Sequence, residues 1–158
     1  MKKLITTIAL VAVSLVSFAQ SDSVTVSKEV DDMTDKVSWY ANVILVAANE
    51  GKTKGITIQP SIANGSSINT LIVSPVGLGN CNEDNTLIIK FVDGSKVKLS
   101  SWNKFDCEVA YFAPTSALVT KLKAVEIDKI YFQNGRTFDS GTFPVSRPRY
   151  FIQLYKGL

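Results

Sequence analysis

The sequence predicts a mainly β fold of the β-rich α+β kind: an antiparallel β-sandwich or roll with one short helix near residues 115–124. Three observations predict it. Short runs rich in Val, Ile, Phe and Tyr alternate with polar residues along most of the chain. Gly, Pro, Asn and Asp punctuate those runs at short intervals. Apolar residues at helical spacing behind a capping residue occur at Ala117–Ala124, where Leu118 and Leu122 share a face and Thr115 or Ser116 can accept the free N–H groups.

The elements follow in order. Val24 to Val30 reads as a strand. Lys36 to Ala48 reads as one long half-buried strand, with Val37, Trp39, Ala41, Val43 and Leu45 on one face. Lys52 to Gly55 is a loop. Ile56 to Gln59 is a short strand stopped by Pro60, which cannot donate to a ladder. Asn64-Gly65-Ser66-Ser67 is a turn, Ile68 to Val73 a strand, and Pro75 to Asn85 a loop rich in Gly and Asn. After the helix, Glu126 to Phe132 is a strand. Asn134-Gly135 then signals a two-residue type I′ turn that sets Tyr131 opposite Phe138. Arg149 to Tyr155 is read as the last strand.

Leu87 to Leu99 is the clearest hairpin. A two-residue loop at Asp93-Gly94 would place Ile89 opposite Lys98 and Phe91 opposite Lys96, putting lysines in the apolar layer. A three-residue loop repairs the parity. It closes over Asp93 to Ser95, or over Val92 to Gly94 with Gly94 in the left-handed bulge position. In the first register Cys81 and Cys107 are directly opposed; in the second they are diagonal neighbours. A disulfide between Cys81 and Cys107 is therefore expected, two buried thiols being the alternative.

Met1 to Ala19 has Lys2 and Lys3, an apolar run from Leu4 to Val16, and small residues before a cut after Ala19. That is the pattern of a secretory signal peptide, shorter than the about 20 apolar residues of a membrane span. Residues 20–158 then form a single β-rich domain, with no membrane span after cleavage. The net charge is +3, and two of the lysines responsible lie in the leader. No Lys/Arg block stands out, so a nucleic-acid partner is not expected.

The chain has no histidine. Ser-His-Asp and Cys-His catalysis and imidazole zinc sites are excluded. The reading leans away from an enzyme, and no cofactor or metal site is expected. Asn80, Asn82 and Asp84 match the start of a calcium loop, but Asn85 and Phe91 occupy the positions that need Gly and Glu. Glu83, Asp84, Asp93, Asp106 and Glu108 could supply a hydrolytic carboxylate pair, though nothing in the spacing selects one. Trp39, Tyr40, Trp102, Phe151 and Tyr155 could form a sugar platform, and Arg136, Arg147 and Arg149 an anion patch. The candidate ligand-binding residues are Trp102, Asn103, Asp106 and Glu108, a polar-aromatic edge where the chain leaves the hairpin. The structural alternative has Trp102 packing and Asp106 or Asn103 closing a turn.

Phe18-Ala19-Gln20 at the leader's end, then FVDGSKVKL, SWNKFDCE, AYF, KIYFQNGR and YFIQL, resemble small exported β-rich proteins of Bacteroidetes. Asp22-Ser23-Val24 is similar to the O-glycosylation acceptor of that group. The resemblance implies export to the periplasm, outer membrane or exterior, and no activity. The expected function is an exported non-catalytic domain that binds a protein or glycan partner in the cell envelope. The alternative is a small carbohydrate-active or carbohydrate-binding protein.

Overall fold

The computed structural model describes residues 23–158. The expected leader lies outside the described residues. The elements are β1 (Val26–Val30), β2 (Val37–Ala41), β3 (Leu45–Ala48), β4 (Gly55–Ala63), β5 (Ser67–Val76), β6 (Thr86–Phe91), β7 (Lys96–Ser100), β8 (Ala110–Phe112), α1 (Ser116–Ala124), β9 (Ile127–Gln133), β10 (Ser140–Pro144) and α2 (Tyr150–Gly157).

Among the described residues every strand pairing is antiparallel. One four-stranded sheet has the order β10-β9-β6-β7, the other β3-β4-β5-β8, and β1-β2 is a separate hairpin. The β-rich α+β sandwich read from the sequence is what forms. Two narrow links stitch the sheets at their margins. At one, Ala47 bridges Val145 and the Ser146 N–H donates to the Val46 carbonyl at 2.8 Å. At the other, the Trp102 N–H donates to the Tyr111 carbonyl at 3.0 Å.

The core lies between the sheets. Leu87, Ile89, Phe91, Ile130 and Phe132 from one meet Leu45, Ile56, Ile58, Leu71, Val73 and Phe112 from the other, all essentially inaccessible. Period-two alternation does this: on β6 the buried residues are Leu87, Ile89 and Phe91, and Ile88 and Lys90 point outward. Leu118 and Leu122 of α1 are buried, and Thr115 caps the helix by accepting from the Leu118 N–H at 3.2 Å.

The hairpin closes over Val92 to Gly94. Ile89 lies opposite Val97 and Leu87 opposite Leu99. The Phe91 N–H donates to Ser95, and Gly94 has φ 84°, the bulge conformation that favours glycine.

Four local expectations are corrected. The long strand from Lys36 to Ala48 is broken at Asn42, whose amide ties back to Thr25 and Ser23, so β2 and β3 join different sheets. Pro60 does not stop β4. β3 pairs only as far as Ile58, so the missing N–H of Pro60 faces a side with no ladder, while β5 pairs on the other side through Leu71. Asn134-Gly135 is not a two-residue turn: Gln133 pairs with Ser140, Tyr131 faces Thr142 rather than Phe138, and neither Asn134 nor Gly135 has positive φ. Gly135 is required for another reason. A Cβ there would collide with the carbonyl oxygens of Glu83 and Asp84.

The fourth correction is the C-terminal segment, which is helix α2 rather than a strand. Tyr150, Phe151 and Leu154 are buried, a helical spacing, and the Tyr150 hydroxyl donates to the Val43 carbonyl at 2.7 Å. An apolar run this short fits both periods, and packing decides between them. Among the described residues the fold thus carries two helices where one was expected.

Candidate functional site

Three loops meet at one end of the sandwich: residues 77–85, 101–109 and 134–139. Their backbone polar groups would be costly to leave unpaired, and buried asparagines satisfy them. Asn134, fully inaccessible, donates through Nδ2 to the carbonyls of Leu78 and Cys81 at 3.1 and 2.9 Å. Its Oδ1 accepts from the N–H groups of Arg136 and Thr137 at 2.9 and 3.3 Å. Asn85, equally buried, joins all three loops. Its N–H donates to Ser101 Oγ at 2.9 Å, its carbonyl accepts from the Ser101 N–H at 3.0 Å, and its Oδ1 accepts from the Gly135 N–H at 3.3 Å.

A disulfide joins Cys81 to Cys107. Beside it, Asn82 and Asp106 exchange both backbone hydrogen bonds. The hairpin register thus shifts beyond β6 and β7, so that the two cysteines stand directly opposed. The bond closes a loop of 26 residues and fixes the 77–85 loop to the 101–109 loop.

Within the 101–109 loop the expected polar residues are spent on the loop itself. Asn103 accepts from the Tyr111 N–H at 2.9 Å and donates to the Val109 carbonyl at 3.1 Å. Asp106 accepts from the Glu108 and Val109 N–H groups at 2.7 and 2.9 Å. Those two N–H groups, Val109 first, hold the Asp106 carboxyl below its ordinary value. Glu108 is exposed and contributes its backbone N–H to this turn. Asn103 and Asp106 therefore build the platform and do not reach out from it.

What the platform displays is aromatic. Trp102 is 62% exposed, and one face of its ring lies against Tyr111, with centroids 5.1 Å apart. Phe105 is 56% exposed under the Arg136 guanidinium, which sits 5.2 Å from the ring centre. Phe138, on the third loop, is 73% exposed. Of these, the sequence pointed to Trp102. Phe105 lay inside the same stretch without being singled out. A two-residue turn at Asn134 sets Phe138 on a strand opposite Tyr131, and the sequence alone groups Arg136 with Arg147 and Arg149. The signal that could have found them is the buried role of Asn134, visible only once loop 77–85 is seen to pack beside it.

The other constellations do not assemble. Asn82 is buried while Asn80 and Asp84 are exposed, so the calcium-loop alternation is broken. Among the described residues no group of three or more metal-ligating side chains comes together. Asp93 is held far below its ordinary value, chiefly by Lys121 Nζ at 2.6 Å and then by the hydroxyl and N–H of Ser95. It is committed to its own hairpin loop. Phe151 is buried in α2, and Trp39 lies against Gly65, whose added Cβ would strike the indole ring. With Phe151 buried and Trp39 packed against Gly65, the five aromatics do not form one exposed sugar platform. Arg149 pairs with Glu126 at 3.3 Å, away from Arg136. Among the described residues no helix is long and apolar enough to cross a membrane.

No family model, no curated protein and no solved structure matches the chain.

Proposed function

We propose that this chain is an exported, non-catalytic binding domain of the Bacteroidetes type, and that the loop end docks onto a protein partner in the cell envelope. One observation carries the reading: Trp102, Phe105 and Phe138 stand exposed on loops locked by a disulfide and by buried asparagines. Each ring keeps more than half of its surface in water and so forgoes a large part of the about 1.5–3 kcal/mol that full burial of an apolar side chain supplies. Folding alone gives no reason for that arrangement, whereas Trp and Arg are enriched in interface hot spots and Phe among interface residues generally. Protein is favoured over glycan because Asn103 and Asp106, which could have read sugar hydroxyls, are bonded to the loop backbone.

Site-specific photocrosslinking in the producing cells tests this. The crosslinker replaces Phe105 in one variant and Gln59, an exposed position on β4, in another. The expected result is a discrete protein adduct from position 105, absent from position 59 and lost when Trp102→Ala is added. Equal labelling from both positions, or an adduct indifferent to Trp102→Ala, would count against the reading. Stabilisation by a neutral oligosaccharide that Trp102→Ala abolishes would replace it with the carbohydrate alternative.

A further inference from the structure

The outward face of the β10-β9-β6-β7 sheet carries a charge pattern that the linear sequence conceals. Lys96 and Lys98 of β7, Lys90 of β6 and Lys129 of β9 all stand on it. Lys90 lies directly opposite Lys96 on one side and directly opposite Lys129 on the other. Three ammonium groups thus rise from one row across three adjacent strands, spanning about 10 Å at the usual strand spacing. Like charges directly opposite each other destabilise a sheet. Asp128, the bulged residue of β9, lies 3.1 Å from Lys90 and 4.0 Å from Lys129, with all three partly exposed. Lys96 and Lys98 have no ion-pair partner among the described residues.

Protection of a sheet edge explains lysines on β7, which is an edge strand. It does not explain Lys90 and Lys129, which lie on the two central strands, where there is no edge to guard. The row also borders a shallow depression of about 370 Å³, lined by Ile88, Lys90, Lys96, Lys129, Tyr131 and Thr142. A half-buried tyrosine and a hydroxyl therefore sit among the cations.

We propose that this face binds an anionic polysaccharide, a chain bearing carboxylate, sulfate or phosphate groups at intervals. Lysine is a flexible point charge without the bidentate fork of arginine. Several lysines in a row suit charges spread along a polymer better than one tightly gripped phosphate. Tyr131 offers a ring for the apolar face of a sugar, and Thr142 a hydroxyl for its oxygens. None of the lining residues is an exposed large apolar side chain that would enter a bilayer. A single ring with no arginine is also not the stacked platform that single-stranded nucleic acid uses. The site is separate from the loop end and does not depend on it.

Binding of the full chain to polygalacturonate and dextran sulfate, with neutral dextran as control, tests the proposal. Both anionic polymers are expected to bind, with affinity falling as salt rises. Lys90→Gln with Lys129→Gln should weaken binding by at least about tenfold, the equivalent of roughly 1.4 kcal/mol. Lys90→Arg with Lys129→Arg should restore most of it, and Trp102→Ala should leave it unchanged. Unfolding temperatures of the variants confirm that each is folded. Equal binding to neutral dextran, or no response to the glutamine pair in a folded protein, would overturn the proposal. Tighter binding of an oligonucleotide or of phosphatidylglycerol vesicles through the same lysines would overturn it too.

Discussion

Truncating Asn134 to alanine should cost far more than its place in a surface loop suggests. The side chain has no solvent exposure and makes four hydrogen bonds to the backbone of two loops. In Asn134→Ala the Arg136 and Thr137 N–H groups lie in partly buried surroundings where water can replace the amide oxygen. The Leu78 carbonyl does not have that recourse, and the Cys81 carbonyl has it only in part. An orphaned buried polar group costs about 1–3 kcal/mol. One full and one partial orphan give about 3 kcal/mol, a large share of the usual stability of roughly 5–15 kcal/mol. For a domain of this length 1 kcal/mol moves Tm by roughly 3–4 °C, so a fall of about 10 °C is expected in thermal unfolding followed by circular dichroism. Asn134→Asp should be worse at neutral pH, because it sets a carboxylate against the same two carbonyl oxygens. That carboxyl would titrate above its unfolded value. The variant should therefore regain stability as pH falls, since a protonated carboxyl can donate to one carbonyl. A fall in Tm of less than about 3 °C for Asn134→Ala, or an Asp variant as stable as the Ala variant at pH 7, would refute the assigned role of Asn134.

Cys81→Ser with Cys107→Ser should lose about 3.5 kcal/mol, the chain-entropy value for a closed loop of 26 residues, and reductant should have the same effect on the unmodified protein in a denaturant titration. Folded Asp93 and Asp106 bind protons less readily than in the unfolded chain, so their contribution is present above the ordinary carboxylate range and is lost as pH falls through their lowered values. Asp93→Asn should accordingly flatten the acid limb of a stability-against-pH curve. In α2, Phe151→Ala should cost about 3–5 kcal/mol and Ile152→Ala about 1, because Phe151 is 1% exposed and Ile152 only half-buried. A strand that buried the face of Tyr150, Ile152 and Leu154 would give the reverse order in denaturant unfolding.

The parts of the fold legible in the sequence were those fixed by local physics. The parity of Leu87, Ile89 and Phe91 against Val97 and Leu99 demanded an odd loop, and Gly94 supplied its bulge. Thr115 capped α1 as its hydroxyl and the Leu118/Leu122 spacing indicated. The hairpin brought Cys81 and Cys107 close enough for their disulfide, and a register shift beyond β6 and β7, marked by the Asn82–Asp106 bridge, set them directly opposite. What escaped was set by distant contacts. Pro60 is tolerated because β3 ends at Ile58, a fact of sheet order. Gly135 meets the carbonyls of residues some fifty positions earlier, so its glycine resembled a turn signal for the wrong reason. Tyr150 to Gly157 became a helix because Val43 and the core receive Tyr150, Phe151 and Leu154 together. The candidate site divides in the same way. Trp102 stood out as an aromatic beside a hairpin end, while Asn103 and Asp106 proved to be the scaffold and Arg136 and Phe138 part of the display.

The loop end is a preformed platform that holds its aromatics out in water. Backbone ¹⁵N relaxation of the free protein measures this directly. Order parameters near 0.85, matching the strands, are expected across residues 101–109 and 134–139. Values below about 0.6 in either loop would show that the rings ride on flexible chain and that no preformed platform exists.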